Sequence, residues 1–303
     1  MPAISEFYGI GGPVPFADVE LSVDNRLFLD TYAIRLMRAP QPFADMANYC
    51  TDTFFKEVTG CVLSGSAADW RRGLDLLQHF VEPRETRLGM SARGINGHGG
   101  SEIVGRWIWD ALINELNLLV RVGFLREIEA IPLFVKGIDK DIPSDLTTRL
   151  IYGPLAEFTA EMVATYPQFK SVGEGVTSIN RQVWDPDARA WTQKSVTLPH
   201  VMGKPLLLVP KDWVRPSLLL SPRRFYETTI LSRAQLEQAV ERDGKLLKTP
   251  KDQLKRQAAL ARGRSTNLAV TLRAFEAEEE NLIAEFMKFA AERYTLPGSS
   301  EAA

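Results

Sequence analysis

The stretch Val176–Leu198, VTSINRQVWDPDARAWTQKSVTL, is the clearest non-helical signal in the chain. Two arms, VTSINRQVW and WTQKSVTL, flank Asp185-Pro186-Asp187-Ala188. β-Branched and aromatic residues suit a pleated, half-buried surface, and an Asp-Pro-Asp run is turn chemistry. The segment predicts a β-hairpin with Trp184 facing Trp191 across the pair. Working outward, most of the remaining chain carries helical spacing. Pro42–Val62 places Phe43, Met46, Ala47, Cys50, Phe54 and Val58 on one face, and Ser66–Val81 repeats the pattern with Trp70, Leu74, Leu77 and Phe80. Ser101 is a plausible N-cap for a core helix through Trp107, Ile108, Leu112, Leu116 and Leu119.

Shorter signals fill the gaps. Val14–Leu29 suggests an extended pair or hairpin, Ile131–Val135 a short strand, and Pro205–Pro210 a second apolar strand that delivers Lys211. Asp145–Tyr166 predicts a helix that Pro154 kinks or splits. From Pro222 onward the pattern is helical: Arg233–Arg242, Lys251–Arg262, and one long amphipathic helix, Asn267–Tyr294. The fold class expected is α+β, predominantly helical with a small central sheet or hairpin. An α+β core over 1–213 and a C-terminal helical region over 214–303, packed on that core, are the expected units.

Composition narrows the function classes. The 303 residues are 45% hydrophobic and 24% charged, which is globular and not disordered. A net charge of −2 gives no global pull toward nucleic acid or membrane. With 2 cysteines, Cys50 and Cys61 in apolar surroundings, and 3 scattered histidines, buried free thiols fit better than a Cys/His zinc site. No stretch approaches the roughly 18 apolar residues of a membrane span, and the N-terminus lacks a signal-peptide pattern. A cytoplasmic protein is expected.

Three features carry chemistry. Lys136–Thr148, KGIDKDIPSDLTT, gathers Asp139, Asp141 and Asp145 around a turn that opens a helix. Carboxylates so placed can converge on a hard cation, Mg²⁺ or Mn²⁺; Ser144 or Asp145 can equally serve as an N-cap. Acidic metal ligands with a lysine on a neighbouring strand, here Lys211, suit metal-dependent phosphodiester hydrolysis, with Glu102 assisting. Second, Glu85–Gly100 is glycine-rich ahead of a helix, and Arg93, Gly97, Gly99 and Gly100 are candidate phosphate binders. A plain surface connector is the simpler account of that loop. Third, Gly244–Arg264 is basic, so Lys251, Lys255, Arg256, Arg262 and Arg264 are candidate nucleic-acid contacts, or else a solvated helix face.

The strings LFLDTYAIR (Leu27–Arg35) and KGIDKDIPSDLTT resemble segments of uncharacterised bacterial antiviral-defence proteins. The acidic turn with Lys211 is also similar to a degenerate PD-(D/E)xK nuclease pattern. By that resemblance Glu102 is the helix acid, Asp141 or Asp145 the central metal ligand, and Lys211 the lysine. The chain departs from the pattern in the long interval from Asp145 to Lys211 and in Val209, which stands where the pattern has an acid. The expected function is a metal-dependent nuclease or phosphodiesterase in antiviral defence. The alternatives are a non-catalytic binding or assembly subunit, with the C-terminal helix as the protein interface, and a nucleotide-sensing protein using the glycine-rich loop.

Overall fold

A computed structural model describes residues 2–294 except 24, 82 and 90–97, and of 98–101 it describes only the backbone. The strands are β1 (Phe28–Leu29), β2 (Val176–Asp185), β3 (Ala190–Val201), β4 (Lys204–Pro205), β5 (Val214–Arg215), β6 (Val240–Arg242) and β7 (Lys245–Leu247). The helices are α1 (Ile4–Tyr8), α2 (Thr31–Met37), α3 (Phe43–Ser64), α4 (Ala67–Leu76), α5 (His98–Ile113), α6 (Asn117–Arg121), α7 (Asp141–Leu150), α8 (Tyr152–Thr165), α9 (Gln168–Ser171), α10 (Pro222–Phe225), α11 (Leu231–Glu237), α12 (Lys251–Leu254), α13 (Arg264–Glu278) and α14 (Leu282–Glu292). The class is α+β, as the sequence predicts.

The long hairpin forms. β2 and β3 pair from Val176 opposite Pro199 to Asp185 opposite Ala190, with Trp184 opposite Trp191. Asp185 Oδ1 accepts the N–H groups of Asp187 and Ala188 and so sets the turn. The two indoles meet edge to face, 5.7 Å apart, and Phe54 of α3 reaches both, at 5.0 and 5.9 Å. Each indole N–H also has a partner: Trp184 donates to Thr53 Oγ1 and Trp191 to Leu76 O. The hairpin is thereby fixed onto α3, whose predicted apolar face is buried. Cys50 and Cys61 are free and buried, and burial pushes the Cys50 thiol up to about 12.

Several local expectations are corrected. Val14–Leu29 does not fold back on itself. β1 pairs antiparallel with the distant β5, and the Asn25 side chain ties its loop to Glu20, Val23 and Arg87. Ile131–Val135 is not a strand but lies in a buried 3₁₀ turn over Ile128–Leu133 and the residues just after it. Pro132 has no N–H to give a ladder, and a short apolar run cannot by itself distinguish strand from buried helix. Pro205–Pro210 is extended but splits its bonds. Leu206, Leu207 and Leu208 donate to Pro199 O, Glu85 O and Thr159 Oγ1.

The helix expected over Asp145–Tyr166 divides at Ile151. Pro154 falls in the first turn of α8, where a missing N–H costs nothing. The C-terminal region differs more. Arg233–Arg242 does not stay helical: α11 stops at Glu237, and β6–β7 follows around Asp243-Gly244, both at positive φ (52° and 71°). Asp-Gly is the preferred pair for a two-residue type I′ turn. Lys251–Arg262 holds only the short α12 and a 3₁₀ turn. The long final helix breaks where Glu279 turns left-handed and Asn281 accepts Ala284 N–H, starting α14. Residues beyond 213 share the apolar core with the rest: Phe225, Ile230, Val270 and Phe286 are all fully buried in it. Among the described residues, no helix is long and apolar enough to cross a membrane.

Candidate functional site

The acidic turn is bound into the fold. Leu29 N–H donates to Ser144 Oγ at 2.9 Å, and Thr31 and Thr147 share a hydroxyl bond at 2.6 Å, so LFLDTYAIR and KGIDKDIPSDLTT are in contact. Ser144 thus serves the β1 backbone and is not the cap of α7. Arg264 donates to Asp139 Oδ1 at 2.9 Å, to Ile138 O at 2.8 Å and to Pro132 O at 2.9 Å. The Lys140 ammonium lies 4.4 Å over the Phe28 ring. Asp141 occupies the first turn of α7, where negative charge is favourable, and Asp145 follows one turn later, half-buried. Among the described residues, no three His, Cys, Asp or Glu side chains gather as metal ligands.

The other candidates are dispersed. Lys211 opens a 3₁₀ turn, donates its N–H to Pro15 O and leaves its side chain exposed; Glu102 is exposed on α5. Arg93 and Gly97 lie outside the described residues. Gly99 and Gly100 lie in the first turn of α5, which has already begun at His98, before the expected cap Ser101. In the basic segment Lys251 donates to Glu227 O of the π-helical turn Tyr226–Ile230 and to Ser232 Oγ of α11, at 2.8 and 2.9 Å. Lys255 pairs with Asp252, Arg264 is committed to the acidic turn, and Arg256 and Arg262 are exposed.

A different group of polar residues comes together beneath the hairpin. Arg149 ends α7, Tyr152 begins α8, Arg181 comes from β2, and Trp191 from β3. Glu85 arrives on the 3₁₀ turn Arg84–Thr86, held by the bond from Leu207 N–H to its own carbonyl. Glu85 Oε1 accepts Arg181 Nε at 2.9 Å and the Tyr152 hydroxyl at 3.4 Å. The Arg149 guanidinium lies 5.6 Å from the Tyr152 ring and 5.9 Å from the Trp191 ring, and its Nε reaches His79 O at 3.4 Å. The His79 ring is 5.4 Å from Trp191 at the rim.

The electrostatics of this centre are unbalanced. Arg149 is only 7% exposed, and among the described residues it forms no ion pair. Burial lowers its pKa, with the Glu85 charge acting the other way. Burial and then the Glu85 charge hold the Tyr152 hydroxyl above its ordinary range. The centre holds two guanidinium groups and one carboxylate, Glu85, which accepts hydrogen bonds from Arg181 and Tyr152. A buried charge without a partner is costly, and stacking on aromatic faces offsets only part of that cost. Two adjacent guanidinium forks match the geometry of a phosphate or carboxylate. Of these residues the sequence singles out Trp191, as a hairpin partner of Trp184, and Glu85, as the first residue of the glycine-rich segment, neither as part of a site. The available signal was Arg149 itself, a charge inside LTTRLIY, a segment buried throughout.

A family model described as "Domain of unknown function (DUF8370)" matches residues 12–221, which include His79, Glu85, Arg149, Tyr152, Arg181 and Trp191. No curated protein and no solved structure matches the chain.

Proposed function

We propose, for a chain that belongs to the DUF8370 family, that its function is to bind a small phosphorylated anion at the Arg149–Arg181 centre. The nucleotide-sensing reading of the sequence rests on the glycine-rich loop; here the ligand is held instead by guanidinium groups of the described fold. The observation that carries it is Arg149, a buried cation with no ion-pair partner among the described residues, beside a second arginine. Glu85 and Tyr152 orient Arg181, and His79 stands at the rim to admit or exclude ligand.

The test is calorimetric titration and thermal shift with inorganic phosphate and a panel of nucleoside mono-, di- and triphosphates. Binding should be lost in Arg149→Met and weakened in Arg181→Gln. Arg149→Met should leave the ligand-free protein as stable or more so, because an apolar side chain of similar volume replaces an unpaired buried charge. If no anion raises the melting temperature and Arg149→Met is strongly destabilising, Arg149 is a packing residue and the reading fails.

Metal-dependent phosphodiester hydrolysis in antiviral defence is the second reading. Asp141 and Asp145 favour it, because positions four apart in α7 share one helix face. Mn²⁺ binding followed by electron paramagnetic resonance, together with cleavage of single- and double-stranded nucleic acid, checks it. Binding and cleavage should both vanish in Asp141→Asn. A folded protein that takes up no Mn²⁺ and cleaves nothing eliminates this reading.

A further inference from the structure

The β6–β7 hairpin stands apart from the phosphate-binding proposal. All six of its strand residues are exposed, among them Val240 at 65%, Leu246 at 54% and Leu247 at 51%. It lies beyond the family match, which ends at 221. Such an isolated two-stranded hairpin is only marginally stable in water, and exposed apolar strands are ordinarily selected against. Its register sharpens the question. Val240 is opposite Leu247, and Arg242 is opposite Lys245. Side chains alternate between faces, so these four share one face, an apolar pair followed by a cationic pair. Like charges directly across strands are destabilising. Among the described residues, no carboxylate forms an ion pair with Arg242 or Lys245. Leu236 of α11 is also exposed.

We infer that this hairpin is a docking edge for an extended, acidic segment of a partner protein. The partner strand adds to the hairpin edge through backbone hydrogen bonds, as in β-augmentation. On the shared face it places an apolar residue against Val240 and Leu247. Two positions on, it places a carboxylate on the same face, alongside the Arg242–Lys245 pair. The spacing is fixed by the pleat, and the charge is fixed by the unpaired cations.

The experiment uses the full chain and a labelled eight-residue peptide, Val-Thr-Glu-Thr-Val-Thr-Glu-Thr, with a control in which lysine replaces glutamate. Fluorescence anisotropy should show binding of the acidic peptide that weakens with salt, and at least about tenfold weaker binding of the control. Arg242→Glu/Lys245→Glu should reduce affinity by about tenfold or more, and Val240→Ser/Leu247→Ser should do likewise. All these side chains are exposed, so melting temperatures should stay unchanged. Absence of binding, or equal binding of both peptides, overturns the inference. So does a dimer in sedimentation that the charge reversals dissociate, because the occupant is then a second copy. So does capture by phosphatidylserine vesicles that the same reversals abolish.

Discussion

Asp30 serves two neighbours at once. Its Oδ1 caps α2 by accepting the N–H groups of Tyr32 and Ala33, and its Oδ2 accepts Leu219 N–H at 2.7 Å. Burial outweighs these bonds and raises the carboxyl from 3.8 to about 6. The folded protein therefore keeps this proton where the unfolded chain has released it. Stability falls as pH rises from about 4 to about 6 and is flat above, by on the order of 3 kcal/mol from this group. Urea unfolding of the wild type and Asp30→Asn across that window checks the sign: the wild type should lose stability relative to Asp30→Asn as pH rises. A difference that does not vary with pH refutes the shift. Arg35 gives a second residue-level expectation. It bridges the buried Glu129 at 2.7 Å and Asp52 at 2.8 Å. Arg35→Met strands the Glu129 charge and should cost about 2–3 kcal/mol, the lower end because Arg35 is 23% exposed. Thermal melts read that loss, and a variant as stable as wild type removes the bridge from the account. The Arg149 centre was hard to find in the sequence, because its members come from five separate elements and meet only in the folded chain. The acidic turn was visible, but its use was not: the partner of Asp139 lies 125 residues away, at Arg264.

Between elements, contact is closest where α4 meets α5. A Cβ on Gly105 would overlap the Leu77 carbonyl oxygen, and one on Gly73 would overlap the Trp109 ring. Carbonyl backbone cannot step aside as a side chain can. Gly105→Ala should therefore cost about 3 kcal/mol or more, whereas Gly73→Ala has a ring to displace and should cost less. Comparing the two by chemical denaturation tests that ordering; equal or negligible losses contradict it. Lys251 offers another contrast. Lys251→Met removes bonds to Glu227 O and Ser232 Oγ and should lower stability by about 1–2 kcal/mol. A pure nucleic-acid contact would leave stability intact and change only the salt dependence of binding. The elements legible in sequence were the ones whose signals are local. The β2–β3 hairpin declares its turn and its alternation within 23 residues, and α3 carries its stripe unaided. β6–β7 announced itself equally plainly by Asp243-Gly244, but the density of lysine and arginine around it read as a charged helix. β1 and β5 had no local signal at all.

At the scale of the molecule, the family match ends within a continuous core. Phe225, Ile230, Val270 and Phe286 are each fully buried and all lie after residue 221. Removing them uncovers the apolar surface they pack against, at about 25 cal/mol per Å². The segment 12–221 expressed alone should bind a hydrophobic dye and unfold without a sharp transition. A cooperative, dye-silent fragment proves the C-terminal region dispensable. Arg264→Gln in the full chain is the milder version. It loses Asp139, Ile138 O and Pro132 O together, and its melting temperature should drop more than that of Asp139→Asn, which loses one bond.

The pairing of β1 with β5 fixes when the protein can be finished. Phe28 waits for Arg215, and Leu29 for Val214. On a ribosome, synthesising at about 5–20 residues per second, that wait lasts on the order of ten seconds or more, and the exit tunnel prolongs it. Until then the β1 edge and the apolar side of α2 stay without the strand that covers them. A nascent chain of this design depends on an early chaperone or on slow local collapse around α3 to reach β5 intact.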